Sequence, residues 1–476
     1  MKRFKRNRKF INPFPIIIVL LLICCFISVI SSILSLNKIN ELMDLNNNLI
    51  KQQNFSKNSQ SIEKESITHD IDQDLSDLSL IKQMTYFGFS SFIKNCPESD
   101  EIRPITNQCL QNFGFQSTVF ESLEPLYILN LAKSFNVAKE IVLKYFKKSE
   151  GHRIVFKNSN LIRSELYDRA VASLIGIYLI SQDQSFLSAA KQLVSSIMQV
   201  DSKSYFPYSI INLEKQQGFE RDWENGTSIS DIVSGLPEIL SLYKITKEDK
   251  YLNFVTDLLE KLRKSNSQLN GHEMFAFYNS EDGQNRTSYF FNERNANYFR
   301  EFYESLLRSY YLIDLKEIKD IIPSSILSGK NTNDVFFDSN HFSYYINSSA
   351  PKKDVSPSLQ AQFNDKFEFD ATFVRNNLRK ISYLFLNNQK DESKNEFENK
   401  INEYVINLLD ETENKCKSLF GYSGLSYSSN KKQRQNNIQH SSFFGNWINT
   451  LSYALEFNIT FWNRALFSTR GHLLYL

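Results

Sequence analysis

The sequence predicts an all-α fold, a ring or stack of helical hairpins, and three observations predict it. Apolar residues recur at three- and four-residue spacing through most of the chain after residue 80. Strand-like alternation is confined to short pieces such as 274–278. Short polar turns, S-Q-D-Q-S-F-L and K-E-D-K-Y-L, each end one helix and carry an aromatic residue into the next. Sequential helices joined by short loops lie antiparallel. The expected product is a toroid with an inner ring of apolar helices and a central cavity lined by their ends.

The N-terminus comes first and has its own physics. Six of the first nine residues are Lys or Arg, and residues 14–36 carry no charge. At about 1.5 Å per helical residue that run reaches about 35 Å, enough to cross a bilayer core. It is too long for a cleavable signal peptide. The expectation is a cytosolic tail (1–13), a signal anchor (14–36) and a luminal remainder, a single-pass type II membrane protein of the endoplasmic reticulum or Golgi. Residues 37–79 are polar, with a weak apolar repeat at Ile39, Leu42, Leu45 and Leu49, and read as a stem.

The domain is expected over 80–476. Helices are predicted near 80–94, 118–147, 161–181, 184–199, 228–245, 248–264, 297–315, 371–387, 394–410 and 443–457. The helix at 161–181 is apolar over nearly its whole length yet carries Glu165 near its start. That acid either complements the helix dipole or faces a closed cavity. Between 317 and 370, Pro323, Gly329, Pro351 and Pro357 mark a long irregular segment.

Composition narrows the partners. The 476 residues, 41% hydrophobic and 14% aromatic, can bury a large core. The net charge of +2 gives no basis for nucleic-acid binding. Cys24 and Cys25 fall in the expected span, leaving Cys96, Cys109 and Cys416 in a compartment that permits disulfides. Cys96 with Cys109 is the expected pair, and Cys416 a buried free thiol. Sequons at Asn54, Asn225, Asn285, Asn347 and Asn458 fit a secretory-pathway glycoprotein.

Several stretches, in order, resemble one family. They are Y-F-G-F-S-S-F (86–92), C-P-E-S-D-E-I-R-P-I-T-N-Q-C (96–109), F-E-S-L-E-P-L-Y-I-L (120–129), S-E-L-Y-D-R with its following helix (164–180), F-P-Y-S-I-I-N-L (206–213), F-Y-E-S-L-L-R (302–308) and F-S-T-R-G-H-L-L (467–474). Together they resemble the class I α-1,2-mannosidases, glycoside hydrolase family 47, most narrowly the ER degradation-enhancing α-mannosidase-like branch. The resemblance implies an (α/α)₇ barrel, inverting hydrolysis of α-1,2-linked mannose, Ca²⁺ at the barrel floor, and high-mannose N-glycans on misfolded glycoproteins as clients of ER quality control. The chain from His341 to Asn376 is shorter than the family's, which implies a missing or distorted hairpin.

Carried over residue by residue, the resemblance places Glu165 at the general acid, with Arg169 four residues on. It assigns Glu121, Glu124, Arg169, Asp231 and Glu304 to substrate contacts and Thr469 to calcium. Other acidic positions are replaced, by Arg300, Asn376, Arg379, Ser441 and Arg470. Inversion needs an acid and a base about 6.5–9.5 Å apart, and Asn376 falls at the base. Glu301, Glu368 or Asp370 would have to substitute. Two readings stay open: a working mannosidase, or an inactive pseudoenzyme that binds glycan or client.

Overall fold

The structure, a computed structural model, describes residues 79–146, 153–221, 226–266, 275–286, 296–322, 366–367, 392–427, 433–457 and 459–476. All of them belong to one unit, 77–476. The expected tail, anchor and stem lie outside the described residues. So do Asn54, Asn225, Asn347, Asn458, Glu368, Asp370 and the helix at 371–387 with Asn376 and Arg379. Among the described residues no helix is long and apolar enough to cross a membrane.

Helix α1 (Leu80–Asn95) buries Met84, Phe89 and Phe92. The Cys96–Cys109 disulfide ties its end to a small hairpin in which Glu101–Arg103 pairs with Gln108–Leu110. Cys416 is free and buried, as expected. Asp100, fully buried behind the hairpin, accepts from the backbone N–H groups of Phe113, Gly114, Phe115 and Ser117 at 2.6–3.2 Å. That carboxylate fixes where the next helix starts.

The helix expected at 118–147 is two: α2 (Ser117–Ile128) and α3 (Ala132–Lys144). The chain turns between them at Asn130, whose φ of 55° is left-handed, a conformation that Asn tolerates and a continuing helix does not. Burial assigns their places. Nearly every residue of α2 is buried, whereas α3 buries only Ala138 and Val142, so α2 is the inner member of the hairpin.

Helix α4 (163–181) joins a short turn, Arg163–Glu165, a wider π-helical run, Leu166–Val171, and a regular segment, Ala172–Ser181. Its partner α5 (Gln184–Asp201) is capped by Asp183, whose carboxylate accepts from Ser185 N–H at 2.9 Å. The helix expected at 228–245 also divides, into α6 (Ile229–Val233) and α7 (Leu236–Thr246). Gly235 has φ +83° at the break, and a Cβ there would lie 2.5 Å from the Tyr167 ring. The chain continues through α8 (Asp249–Ser265), α9 (Ala296–Leu312), α10 (Lys316–Lys319), α11 (Glu392–Cys416), α12 (443–456) and α13 (Ile459–Arg464). It ends in a hairpin of Leu466–Phe467 with Leu473–Tyr475.

Helices α2 and α3, α4 and α5, α7 and α8, and α11 and α12 pack as pairs. The inner helices run as successive neighbours α12, α2, α4, α7, α9, and the C-terminal strand packs on α4 and α7. This is the hairpin ring expected from periodicity, as far as the described residues carry it. Gly235→Ala should lower stability by about 2–4 kcal/mol, because the left-handed backbone and the Tyr167 ring both oppose a methyl group. Denaturant unfolding of the two proteins measures it.

Candidate functional site

Arg163 sets the start of α4. It is fully buried, and its guanidinium pairs with Asp201 at the end of α5 (Nη2–Oδ2 2.9 Å). Its Nη1 donates to the carbonyls of Asp231 and Ser234, and the group lies 4.9 Å over the Tyr167 ring. A buried cation with this many partners holds its surroundings in one register. Glu165 therefore emerges at a fixed place.

Glu165 sits between two arginines. Its Oε2 accepts from Arg169 Nε at 2.5 Å, and Arg470 Nη2 lies 3.1 Å from Oε1. Arg169 also pairs through Nη1 with Glu121 and donates to Ser441 Oγ at 2.8 Å, its guanidinium 4.4 Å from the Phe113 ring centre. Ser441 is held in turn, its N–H donating to Glu101 Oε1 at 2.9 Å. The structure thus brings Glu121, Glu165, Arg169, Ser441 and Arg470 into one network. Burial alone would raise the pKa of Glu165, but the two guanidiniums outweigh it and hold the carboxyl at about 2.

Other expected sugar contacts prove to be internal struts. Glu124 has no exposed surface. Its oxygens take His472 Nδ1 at 2.6 Å, Tyr453 OH at 2.7 Å and Leu473 N–H at 3.2 Å. Gly176 lets α4 approach this carboxylate, since a Cβ there would overlap it. In this geometry Glu124, expected at the substrate, pins the C-terminal strand to α2. Glu121 is likewise fully buried against Arg169. Asp231 is 3% exposed and occupied by Arg221, Ser209 and Ser228, the last capping α6. Glu165 (20%), Glu304 (25%) and Arg470 (32%) each keep some surface. Arg300 lies near the start of α9 beside the exposed Glu301.

Two carboxyls that the sequence did not single out complete the site. Asp168 lies one turn after Glu165 on the π-helical run, and Glu238 is buried in the first turn of α7. Neither forms an ion pair among the described residues. For Asp168, burial and the charge of Glu165 prevail over the pull of Arg470 and raise its pKa to about 7. Burial, then the charge of Asp168, pushes Glu238 up to about 8. The pair therefore keeps protons that ordinary carboxyls release.

The residues at Thr469 do not fit calcium. The ion takes six to eight oxygens, carboxylates prominent among them. Here the Thr469 hydroxyl accepts from Arg308 Nη1 at 3.2 Å, and the next residue is Arg470. Among the described residues no three His, Cys, Asp or Glu side chains converge as a ligand set.

The raised pair has a signed consequence. Because Asp168 and Glu238 bind protons more tightly folded than unfolded, their contribution is most favourable below about pH 4. It is lost as pH rises through about 7 to 8. Melting midpoints should fall from pH 6 to pH 8.5. Glu238→Gln should flatten that fall, and an unchanged slope in this variant would contradict the assignment.

Comparison with known proteins agrees with the fold and the motifs. The chain is 25% identical over 189 residues to a mannosyl-oligosaccharide 1,2-alpha-mannosidase of Arabidopsis thaliana, covering 39% of this chain and 32% of that protein. It is 25% identical over 166 residues to the human endoplasmic reticulum mannosyl-oligosaccharide 1,2-alpha-mannosidase, 34% of this chain and 22% of that one. These matches span about a third or less of the relatives' own length. The solved alpha-1,2-mannosidase of Trichoderma reesei superposes with a TM-score of 0.53 at 12% identity, over 83% of this chain and 97% of that one, a likeness of fold. The sequence profile of glycosyl hydrolase family 47 matches residues 84–373, well over half of the chain, and the chain belongs to that family.

Proposed function

We propose that this protein recognises mannose-rich N-glycans in the early secretory pathway without cleaving them by its family's mechanism. The observation that carries the reading is Arg470 against Glu165. A general acid must hold a proton when the substrate arrives. With its pKa near 2, Glu165 is protonated in about one molecule in 10⁵ at pH 7, and loss of general acid help costs about 10²–10⁴ in rate. The family's acid is thereby converted into the counter-ion of two arginines.

Binding is supported by the fold and by the surface that remains. Glu304, Glu165 and Arg470 offer partly exposed charged groups, and carboxylates and guanidiniums are good partners for sugar hydroxyls. The names of the relatives supply the ligand class and the compartment: mannosyl-oligosaccharides, and for the human, rat and mouse proteins the endoplasmic reticulum.

One observation favours a second reading. Asp168, three residues from Glu165 and partly exposed, holds its proton near neutral pH, as a displaced acid would.

Incubating the full chain with a high-mannose N-glycan separates the readings. Saturable binding with no mannose released above the blank is the expected result. Release abolished by Glu165→Gln would overturn the proposal, and release abolished by Asp168→Asn alone would establish the second reading.

A second prediction concerns the lock itself. Replacing Arg470 by Met removes one guanidinium and should raise the Glu165 pKa by about 1–2 units. Glycan binding should then change in affinity between pH 3 and pH 6, where the parent protein is flat. A profile identical to the parent's would show that Arg470 does not hold the acid.

A further inference from the structure

The five described inner helices meet at seven residues of the C-terminal tail, 468–474. Glu124 of α2 accepts from His472 and from Leu473 N–H. Glu165 of α4 takes Arg470. Ser241 of α7 donates to the Leu474 carbonyl at 2.5 Å. Arg308 of α9 donates to the Thr469 hydroxyl at 3.2 Å. Asn449 of α12 donates to the Gly471 carbonyl at 3.0 Å. The tail is thus a plug held from every described side of the ring, with Gly471 in a left-handed turn (φ 87°) at its middle.

We propose that Arg308 and Arg470 together take the place of the family's calcium, so that the plug is held by the protein's own cations and folds and works without the metal. The formal charge is the same, two guanidiniums for one dication. Arg308 is 6% exposed and faces Glu304 at 3.7 Å as well as Thr469, so it supplies a fixed positive charge where the Thr hydroxyl would otherwise meet an ion. Arg470 reaches the neighbouring carboxylate on α4. A dication arriving here would meet these guanidiniums before it met an oxygen, and their repulsion opposes its binding. Guanidinium keeps its charge at every physiological pH and cannot be removed by a chelator.

This inference does not depend on whether mannose is cut, and its test reads the fold. Thermal unfolding of the full chain in excess EGTA and in millimolar CaCl₂ should give midpoints within about 1 °C of each other. A calcium-dependent rise of several degrees, as a bound ligand produces, would overturn it. Arg308→Met should lower the midpoint by about 5 °C in both media and speed hydrogen exchange of the amides in 468–474. A midpoint and exchange pattern like the parent's would contradict the role of Arg308. Should that variant not fold, Thr469→Val removes the hydroxyl that accepts from Arg308 while keeping the side chain's shape, and tail exchange about tenfold faster is expected, with unchanged exchange counting against the proposal.

Discussion

The buried guanidinium of Arg169 is the contact on which the rest of this site depends. It joins Glu121 of α2 to Glu165 of α4 and takes the hydroxyl of Ser441 ahead of α12. Taking three charges out of water is costly, and only close mutual pairing offsets it. Removing Arg169 would leave the buried Glu121 carboxylate without its ion-pair partner, whereas Glu165 would keep Arg470. The network is therefore a constraint on how three inner helices meet as much as a feature of a binding cavity, and it explains why Glu121 has no surface left for a ligand.

Around that centre the carboxyls divide into two populations. Glu165 is held ionised by arginines on both sides. Asp168 and Glu238, one turn and one helix away, have their pKa values raised first by burial, then by the charge of Glu165 at Asp168 and of Asp168 at Glu238. An enzyme that hydrolyses glycosides by inversion needs one carboxyl of each kind on opposite faces of the sugar. Here both kinds are present, but Glu165, which we propose as the counterpart of the family's acid, is the ionised one. Arg169 and then Arg470 account for it, the tail guanidinium lying 3.1 Å from the carboxylate.

Much of this was legible in the sequence, and the misses have physical reasons. Periodicity located the helices because amphipathic packing demands it, and the apolar run at 161–181 identified an inner helix. The Glu165–Arg169 pair was visible as an i,i+4 spacing. The breaks at Asn130 and Gly235 were not, since either residue is tolerated inside a helix until a neighbour decides otherwise; at Gly235 that neighbour is the Tyr167 ring. Arg470 was legible as a cation in the tail but not as a partner of Glu165, because 305 residues separate them. Asp168 and Glu238 gave no signal at all: their raised pKa values arise only when α4 and α7 pack together.

The central claim is that Glu165 stays ionised wherever the protein works. The direct measurement is a pH titration of its carboxyl carbon by NMR on glutamate-labelled full chain, with the resonance assigned by its absence in Glu165→Gln. A shift that stays flat from pH 8 down to about 4 is the predicted result. An inflection between about pH 5 and 7, the range of a working general acid, would contradict the account.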